Sequence, residues 1–423
     1  MGERDNILLL REMFDVAIRS VSAELCIPAH IPSPVRGKTL ILGVGKAAAA
    51  MTRVAAKHMQ GNWEAIVLTR YGHGYPESEM LTNIRVFEAG HPLPDQHGLE
   101  ATRIILEEVR RLGEQDQLLM LVSGGGSALL TMPAPGLSLA DKQGVTRALL
   151  SCGASISEIN CVRTHLSAIK GGRLALAAYP AKVVTLAISD IPGDDPALVA
   201  SGPTIADRTK LGDARRILEN YGIERSPQID AALADECNET PFASSAGLIN
   251  TFTRVIARSR HAMEAAGELA RAAGYRPVYL GDDIEGEASE IGTVHAALAL
   301  HHAGKGGRYA LLSGGETTVV VRNPKGRGGR NTEYLLSLAL SLNGAKGVYA
   351  LACDTDGIDG TEDNAGALIT PSTLARAGTG NCSAMDALDG NRTFDFFAAL
   401  GDLVVTGPTR TNVNDLRIIL VDR

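Results

Sequence analysis

The sequence has 423 residues, of which 45% are hydrophobic, 21% charged and only 4% aromatic, and its formal net charge is −7. This length exceeds one ordinary hydrophobic core and predicts two or three domains, while the acidic balance argues against a broad nucleic-acid surface. The six cysteines are scattered without a CxxC pair, and no uncharged apolar stretch approaches 18 residues. We therefore expect a reduced cytoplasmic protein without disulfides, zinc, secretory signal or membrane span.

The first part of the chain alternates apolar strands with amphipathic helices. The predicted strands are 39–46, 65–69, 83–88, 118–122 and 182–189. The predicted helices are 6–25, 47–59, 98–112, 139–150 and 156–176. This alternation is typical of a mostly parallel, doubly wound sheet, which binds ligands beyond the carboxyl ends of its strands.

A second alternating series begins at Thr251, after a polar region, and we place the domain boundary between residues 245 and 246. Its predicted strands are 253–257, 277–281, 309–313, 348–353, 403–406 and 417–421. Its predicted helices are 260–273, 287–303 and 331–342. Residues 319–322 are expected to form a hairpin with strand 309–313. The sequence thus predicts two α/β domains, 1–245 and 246–423.

Two loops place serine and consecutive glycines directly after a strand: Ser123-Gly-Gly-Gly-Ser127 and Ser313-Gly-Gly-Glu316. Glycines let the backbone approach a ligand closely. If Ser127 begins a helix, its free N–H groups favour phosphate or carboxylate. Either loop alone could be only a tight turn. The presence of two matching loops favours anion binding.

Two groups of aspartates are candidates for binding a hard cation: Asp190, Asp194 and Asp195, and Asp354, Asp356 and Asp359. Magnesium is usually held by one or two carboxylates plus substrate phosphate oxygens, which either group could complete. The alternative interpretation is structural, because aspartates in turns bond to nearby backbone N–H groups.

The glycine-rich basic loop 325–330 carries Arg327 and Arg330. A planar guanidinium held by glycines can stabilise the charge that spreads over a migrating phosphoryl group. An exposed, mobile hairpin is the alternative. Four histidines have no metal-ligand spacing and are expected at surface or packed positions: His73, His91, His97 and His165.

Gly43-Val-Gly-Lys46 lies where the first strand turns into a helix. It is not a P-loop, because one residue separates its glycines and Ala47 follows the lysine. It fits the looser GxGxxA pattern through Ala48, which supports a redox function with a nicotinamide cofactor. However, the acidic ribose partner expected about 20 residues later is missing, since the second strand closes with Thr69-Arg70. Lys46 at a helix N-terminus is electrostatically unusual, and a solvated lysine is the structural alternative.

Together these stretches resemble the class II glycerate kinases, the glycerate 2-kinase family with a C-terminal MOFRL domain. Nine motifs follow the family's order over nearly the whole chain: 43–47, 90–95, 121–130, 189–195, 201–203, 313–318, 328–331, 355–360 and 406–409. The resemblance implies a Rossmann-like N-terminal domain, a smaller mixed-sheet C-terminal domain and an active site in the cleft between them. It also implies transfer of the γ-phosphoryl of ATP to the 2-hydroxyl of D-glycerate, giving 2-phosphoglycerate, with Mg²⁺.

The resemblance also implies roles for individual residues. Lys46 and Arg330 match the family's catalytic lysine and arginine, and we expect them to neutralise the phosphoryl group in flight. We further expect Asp190, Asp195, Asp354 or Asp356 to position Mg²⁺ or to deprotonate the hydroxyl, and which of them is the base stays open. Asp190 is the candidate base, and the candidate metal ligands are Asp195, Asp354 and Asp356. The candidate substrate and nucleotide contacts are Gly45, Ser123, Gly124, Gly125, Gly126, Ser127, Ser313, Gly314, Gly315, Glu316 and Asn331.

The chain departs from the family pattern at Thr332, Cys353 and Arg410, which bears on substrate or nucleotide preference more than on reaction type. The implied partners are D-glycerate and ATP, with no nucleic acid and no membrane, and a homodimer stays open. The alternative function is an NAD(P)H-dependent hydroxypyruvate reductase, a name also given to members of this family. A third is a nucleotide- or sugar-acid-binding regulator without turnover.

Overall fold

The computed structural model describes residues 2–75, 82–378 and 383–422. It divides into two compact units: a central unit, Cys26–Ile256, and a split unit formed by the chain up to Leu25 and from Ala257 onward. The boundary predicted between residues 245 and 246 does not coincide with this division. The reason is that strand β6 (Thr251–Ala257) joins the sheet of the central unit, whereas helix α1 (Glu3–Ser20) packs within the split unit.

The central unit is built on a six-stranded sheet in the order β3-β2-β1-β4-β5-β6. Its other strands are β1 (Lys38–Val44), β2 (Asn62–Arg70), β3 (Ile84–Ala89), β4 (Gln117–Val122) and β5 (Lys182–Ile188). Its helices, after the short α2 (Ala23–Cys26) that precedes it, are α3 (Ala48–His58), α4 (Gln96–Arg110), α5 (Gly126–Leu129), α6 (Leu139–Ser151), α7 (Ile156–His165), α8 (Arg173–Ala178), α9 (Leu211–Asn220), α10 (Pro227–Ala234) and α11 (Ala246–Ile249).

The strand order of the central unit reverses between β1 and β4. Strand β1 pairs in parallel with both β2 and β4, and β4 pairs in parallel with β5. Both β1 and β4 are almost entirely buried, as expected for strands covered by helices on both faces. In a doubly wound sheet the loops leaving such a pair diverge and open a crevice at the carboxyl edge. The predicted loops at Lys46 and Ser123 both lie at this edge.

The single helix predicted over residues 156–176 is wrong. Helix α7 ends at His165 and α8 begins at Arg173, with Gly171 and Gly172 between them at φ values of +59° and +86°. Two successive left-handed residues cannot continue a right-handed helix, so the glycines redirect the chain.

The split unit contains a mixed six-stranded sheet in the order β13-β12-β11-β14-β9-β7. Its strands, together with the short β8 and β10, are β7 (Arg276–Gly281), β8 (Gly286–Glu287), β9 (Arg308–Ser313), β10 (Thr317–Thr318), β11 (Val348–Asp354), β12 (Gly366–Ile369), β13 (Leu403–Val404) and β14 (Asp415–Asp422). Its helices besides α1 are α12 (Ser259–Ala272), α13 (Ala288–Lys305), α14 (Arg330–Leu342), α15 (Thr373–Ala377), α16 (Ala384–Asp389) and α17 (Thr393–Leu400).

Residues 319–322 do not form the predicted hairpin with β9. Strand β9 already has β14 on one side, antiparallel, and β7 on the other, parallel, so neither edge is open. The short β10 instead pairs in parallel with β8. The predicted fold class, a Rossmann-like parallel sheet followed by a mixed-sheet α/β domain, is confirmed. No helix among the described residues is long and apolar enough to cross a membrane.

Candidate active site

In the central unit the loops that follow β1 and β4 interlock at the switch point. The Ser123 N–H donates to the Val44 carbonyl at 3.0 Å, and the Lys46 N–H donates to the Gly124 carbonyl at 2.9 Å. Gly45 has a φ of +124°, and a Cβ there would lie 2.3 Å from Ser123 Oγ. Glycine at this position therefore lets the two loops touch, which holds Lys46 against the glycine-rich loop.

The loop at residues 123–127 presents a row of N–H groups. Gly125 has a φ of +82° and precedes α5, a helix of only four residues. No acceptor for the N–H groups of Gly124, Gly125, Gly126 and Ser127 is found within the described ranges. Successive N–H groups of this kind form an anion-binding concavity. A Cβ at Gly125 would lie 3.0 Å from His91 Cδ2 and 3.4 Å from Lys46 Cγ, so both side chains border this loop.

Two histidines that were expected at surface or packed positions, His73 and His91, lie at the carboxyl edge of the sheet instead. His91 borders Gly125, and His73 Nδ1 lies 3.4 Å from the Lys46 carbonyl. They follow β3 and β2, whose carboxyl ends reach the same edge as β1. The sequence shows that each histidine follows a strand. Predicting that they lie near Lys46 also requires the order of the strands in the sheet, which the sequence analysis did not give. His165, by contrast, is packed as expected, with Nδ1 2.9 Å from the Cys161 carbonyl.

Two buried lysines that the sequence analysis missed lie near each other, and one of them contacts the same loop. Lys170 is fully buried, and its Nζ donates to the Ser127 carbonyl at 2.8 Å and to the Ala200 carbonyl at 3.3 Å. Lys142 is 5% exposed, and its Nζ has no hydrogen-bond partner among the described residues. Burial, with the nearby charges of Arg163 and Arg173, lowers the pKa of Lys142 to about 7. Burial and the charges of Lys142 and Arg163 lower the pKa of Lys170 well below its usual value, and an anion bound at the 123–127 loop would favour its charged form.

The chain after β5 is strained where it meets α5. Asp194, Ala200 and Ser201 have φ values of +55°, +53° and +60°, which are uncommon for residues other than glycine. Ser201 Oγ lies 2.7 Å from Ser127 Oγ. The strained backbone thus holds a second hydroxyl at the glycine-rich loop.

The two aspartates predicted as functional after β5 lie at different places. Asp190 is half-buried directly beyond β5. Asp195 lines a cavity of about 120 Å³ and accepts a hydrogen bond from the Ala197 N–H at 3.0 Å. This local turn contact matches the structural alternative for Asp195. Both assignments stay predictions.

In the split unit Arg330 is the centre of an ionic network. Its Nε donates to both oxygens of Asp415, at 2.9 and 3.0 Å, and its Nη2 donates to Asp354 at 2.6 Å. Its Nη1 forms an ion pair with Glu316 at 2.9 Å. Burial opposes the charge, yet the three carboxylates raise the pKa of Arg330 well above its usual value. The network joins three predicted residues with Asp415, which no sequence motif singled out.

The aspartates after β11 form a compact turn. Asp354 Oδ1 accepts the Asp356 N–H, and Asp356 Oδ1 accepts the Ile358 N–H, both at 2.9 Å. Across the described ranges, no group of three or more histidine, cysteine or acidic side chains could hold a metal ion. Magnesium would therefore need ligand oxygens in addition to one or two carboxylates, as it does when phosphates are bound. Asp195 belongs to the central unit, whereas Asp354 and Asp356 belong to the split unit.

The second Ser-Gly-Gly loop differs from the first, because the Gly314 N–H already donates to the Gly281 carbonyl at 2.9 Å. The Gly314 carbonyl accepts from Arg417 Nη1 at 2.9 Å, and the Gly315 carbonyl accepts from the Asp415 N–H at 3.1 Å. A Cβ on Gly315 would lie 2.2 Å from the Ile284 nitrogen, so this glycine allows two segments to cross. Asn331 is fully buried, and its Nδ2 donates to Asp415 at 2.8 Å, which gives it a positioning contact.

Two family models match the chain. The one described as a domain of unknown function, DUF4147, matches residues 9–234, and the MOFRL family model matches residues 309–415. The first match covers most of the central unit and the second covers most of the mixed sheet. Together the two matches cover both parts of the chain, and the MOFRL match lies in the C-terminal part, as predicted.

Curated relatives and solved structures agree with these models. The D-glycerate 2-kinase of Thermotoga maritima is 37% identical over 97% of this chain and 97% of its own length. The crystal structure of a glycerate kinase from Thermotoga maritima matches with a TM-score of 0.89 and 36% identity over 99% of this chain and all of that chain. A protein of Agrobacterium vitis named putative hydroxypyruvate reductase is 48% identical over 98% of this chain and 94% of its own length. The chain belongs to the class II glycerate kinase family.

Proposed function

We propose that this protein is an ATP-dependent D-glycerate 2-kinase that releases 2-phosphoglycerate and ADP. The observation that carries the proposal is the row of N–H groups at Gly124–Ser127, bordered by Lys46 and His91. Such a row binds a phosphate or carboxylate oxygen through several donors at once. The relatives named D-glycerate 2-kinase and glycerate 2-kinase, at 37% and 35% identity, support this reaction over other phosphoryl transfers.

Each residue has a proposed task in the transfer. Lys46 and Arg330 neutralise the negative charge that spreads over the phosphoryl oxygens, and the 123–127 loop orients the anionic group that it binds. Asp190 accepts the proton of the attacking 2-hydroxyl. Asp354 and Asp356 offer hard oxygen donors for Mg²⁺, which supplies additional charge neutralisation when it is bound together with phosphate oxygens.

The reductase alternative has one structural argument in its favour, because the strand order 3-2-1-4-5-6 is that of dinucleotide-binding domains. In those domains the N–H groups after β1 face the pyrophosphate. Here they are committed to protein acceptors. The donors and their acceptors are Gly45 to Leu68, Lys46 to Gly124, Ala47 to Ser123 Oγ and Ala48 to Gly45. The kinase assignment is therefore preferred.

One assay separates the two functions. The protein is incubated with D-glycerate, ATP and Mg²⁺, and ADP release is followed together with the phosphorus NMR spectrum of the product. In parallel, NAD(P)H absorbance is followed with hydroxypyruvate. We expect ADP and 2-phosphoglycerate with no nicotinamide oxidation. Steady nicotinamide oxidation without ADP release would overturn the proposal.

Lys46 and Arg330 can be tested with matched controls. Lys46→Ala should lower kcat by orders of magnitude, as should Arg330→Lys, since a charge-stabilising arginine is worth about 10³–10⁵-fold in phosphoryl transfer. The lysine substitution at Arg330 retains a charge facing the three carboxylates, and circular dichroism melts check that the fold is kept. Lys57→Ala, at an exposed position on α3, is the control. Wild-type turnover in either variant would remove that residue from the mechanism.

The proposed compartment is the cytoplasm. The five described cysteines, Cys26, Cys152, Cys161, Cys237 and Cys353, are free thiols, in keeping with a reducing environment.

A further inference from the structure

The split unit contains a cavity of about 390 Å³ that shares Arg330 with the ionic network. Its wall is formed by β10, the glycine-rich loop that precedes α14, the first turn of α14 and the residues just before α17. Pockets for small molecules begin at about 300 Å³, so this cavity is large enough to enclose one. Arg330 and Glu333 are three residues apart on α14, and both line the cavity, so a cationic and an acidic residue border the same space.

The remaining wall combines apolar side chains with hydrogen-bonding groups. Val319, Val321 and Pro324 form the apolar part, and Asn323 and Asn391 contribute amides. Val321 is 64% exposed at the edge of the cavity, although a valine would ordinarily be covered. An exposed apolar side chain at the rim of a polar cavity is suited to a flat, partly apolar ligand.

The carboxyl group of Glu333 is buried, and only one of its oxygens accepts a hydrogen bond from a neutral donor among the described residues. Glu333 is only 1% exposed. Its Oε2 accepts a hydrogen bond from Asn391 Nδ2 at 3.2 Å, while Oε1 accepts none from a neutral or cationic donor among the described residues. Burial raises the pKa of Glu333 to about 7, and both the charge of Glu287 and a side-chain hydrogen bond shared with it act in the same direction. When both carboxyl groups are ionised, Oε1 has no donor among the described residues, and a ligand hydroxyl or amine would supply one.

We propose that this cavity binds the nucleoside part of ATP, with the base against Val319, Val321 and Pro324 and a ribose hydroxyl donating to Glu333. The phosphates then extend past Arg330. The inference rests on the proposed kinase function. D-Glycerate is the poorer occupant, because it is small and anionic and would meet a carboxyl group and apolar walls. A nucleoside has both a base for those walls and hydroxyls for Glu333.

The test is direct binding of ADP to the full-length protein by isothermal titration calorimetry, without glycerate. Val321→Glu places a charge at the rim of the cavity, and we expect it to weaken ADP binding at least tenfold. The control, Val294→Glu, makes the same change at an exposed position on α13 that does not line the cavity, and should leave the affinity unchanged. Circular dichroism melts of each variant check that the fold is retained.

A second comparison addresses Glu333. Wild-type protein should bind ADP several-fold more tightly than 2′,3′-dideoxy-ADP, and Glu333→Gln should lose that preference by weakening ADP alone. Unchanged ADP affinity in folded Val321→Glu, or an unchanged ribose preference in Glu333→Gln, would overturn the inference. If either of those results is obtained and the protein still transfers phosphoryl groups to glycerate, the nucleoside cavity is wrong and the kinase function remains supported. ADP binding as expected without any transfer would overturn the kinase function and leave the nucleoside cavity standing.

Discussion

Lys142 carries a charge in a place where the protein offers it no counter-charge. Its Nζ is buried without a hydrogen-bond partner in the described part of the chain, and Arg163 and Arg173 act on it with the same sign. Burial and the charges of Lys142 and Arg163 also lower the pKa of Lys170, which contacts the 123–127 loop. A buried unpaired ammonium destabilises the folded state, so Lys142 is retained at a cost in stability.

Replacement of Lys142 should change the pH dependence of stability. The folded pKa of about 7 lies below the ordinary lysine value of 10.5, so between these values the unfolded state binds more protons and wild-type stability rises with pH. Below pH 7 the full cost is present, at about 1.4 kcal/mol per pKa unit. Lys142→Met should therefore be more stable than wild type at pH 6 and should flatten the rise between pH 7 and 10.

The measurement is urea unfolding at pH 6, 7.5 and 9, followed by the fluorescence of Trp63, the single tryptophan, which lies on β2 in the central unit. Lys182→Met, at an exposed position at the start of β5, is the control and should retain the wild-type slope with pH. Parallel slopes for Lys142→Met and wild type would mean that Lys142 is not the buried titrating group.

Helix α14 receives its N-terminal cap from a distant part of the chain. Gly329 at the N-cap has no side chain, and Asp359, which follows β11, accepts from the N–H groups of Asn331 at 2.9 Å and Thr332 at 3.0 Å. The Thr332 hydroxyl also donates to Asp359 at 3.0 Å. A carboxylate at a helix N-terminus is favourable both as an acceptor and through the helix dipole. This cap fixes the start of the helix that carries Arg330.

Loss of this cap should affect both stability and activity. Hydrogen bonds to a charged group are worth about 1.5–3 kcal/mol each, so Asp359→Ala should lower the free energy of unfolding by several kcal/mol and reduce kcat through displacement of Arg330. Asp389→Ala, at an exposed position at the end of α16, should change neither. Thermal melts and turnover measured on the same samples check this. Full activity in a destabilised Asp359→Ala would separate the cap from the positioning of Arg330.

The crossing of the two switch-point loops depends on Gly45. Its positive φ and the 2.3 Å approach of a Cβ to Ser123 Oγ mean that Gly45→Ala must displace the glycine-rich loop. We expect a lower melting temperature and at least a tenfold loss of kcat/KM. Gly72→Ala is the control, because Gly72 also has a positive φ, +76°, but nothing lies within 4 Å of its Cβ position. It should show only the backbone strain, about 1 kcal/mol. Equal effects in the two variants would exclude the crossing as the cause.

The sequence could predict those elements that are encoded by neighbouring residues, such as an apolar strand followed by glycines. Apolar strands followed by glycines located β1, β4 and both Ser-Gly-Gly loops. Sites made by distant residues were not predictable. Lys142 lies on α6 whereas Lys170 follows α7, and Asp415 approaches Arg330 only because β14 pairs with β11. The hairpin predicted at 319–322 failed for the same reason, because the partners of β9 come from elsewhere in the chain.

At the scale of the whole molecule, the central unit is inserted into the sequence of the split unit, between residues 25 and 257. Helix α1 buries Leu10, Met13 and Phe14 in the split unit, and Asn6 donates to Asp422 at 3.3 Å and accepts from Tyr275 at 2.5 Å. The central unit, in contrast, is a continuous segment with its own sheet and core. A boundary at residue 245 predicted from composition could not reveal this arrangement, because the signal is long-range packing.

This path through the units predicts unequal behaviour of fragments. Residues 26–256 should fold alone and unfold cooperatively, whereas residues 257–423 should aggregate or melt without cooperativity, because the surface that covers α1 is exposed. Burial of each large apolar side chain is worth about 1.5–3 kcal/mol, so three such side chains account for much of the stability of an ordinary domain. Adding residues 1–25 as a synthetic peptide should restore a cooperative transition to fragment 257–423, and a peptide with Phe14→Asp should not. Circular dichroism melts decide the matter, and a cooperative transition of fragment 257–423 without the peptide would show that α1 is dispensable to the split unit.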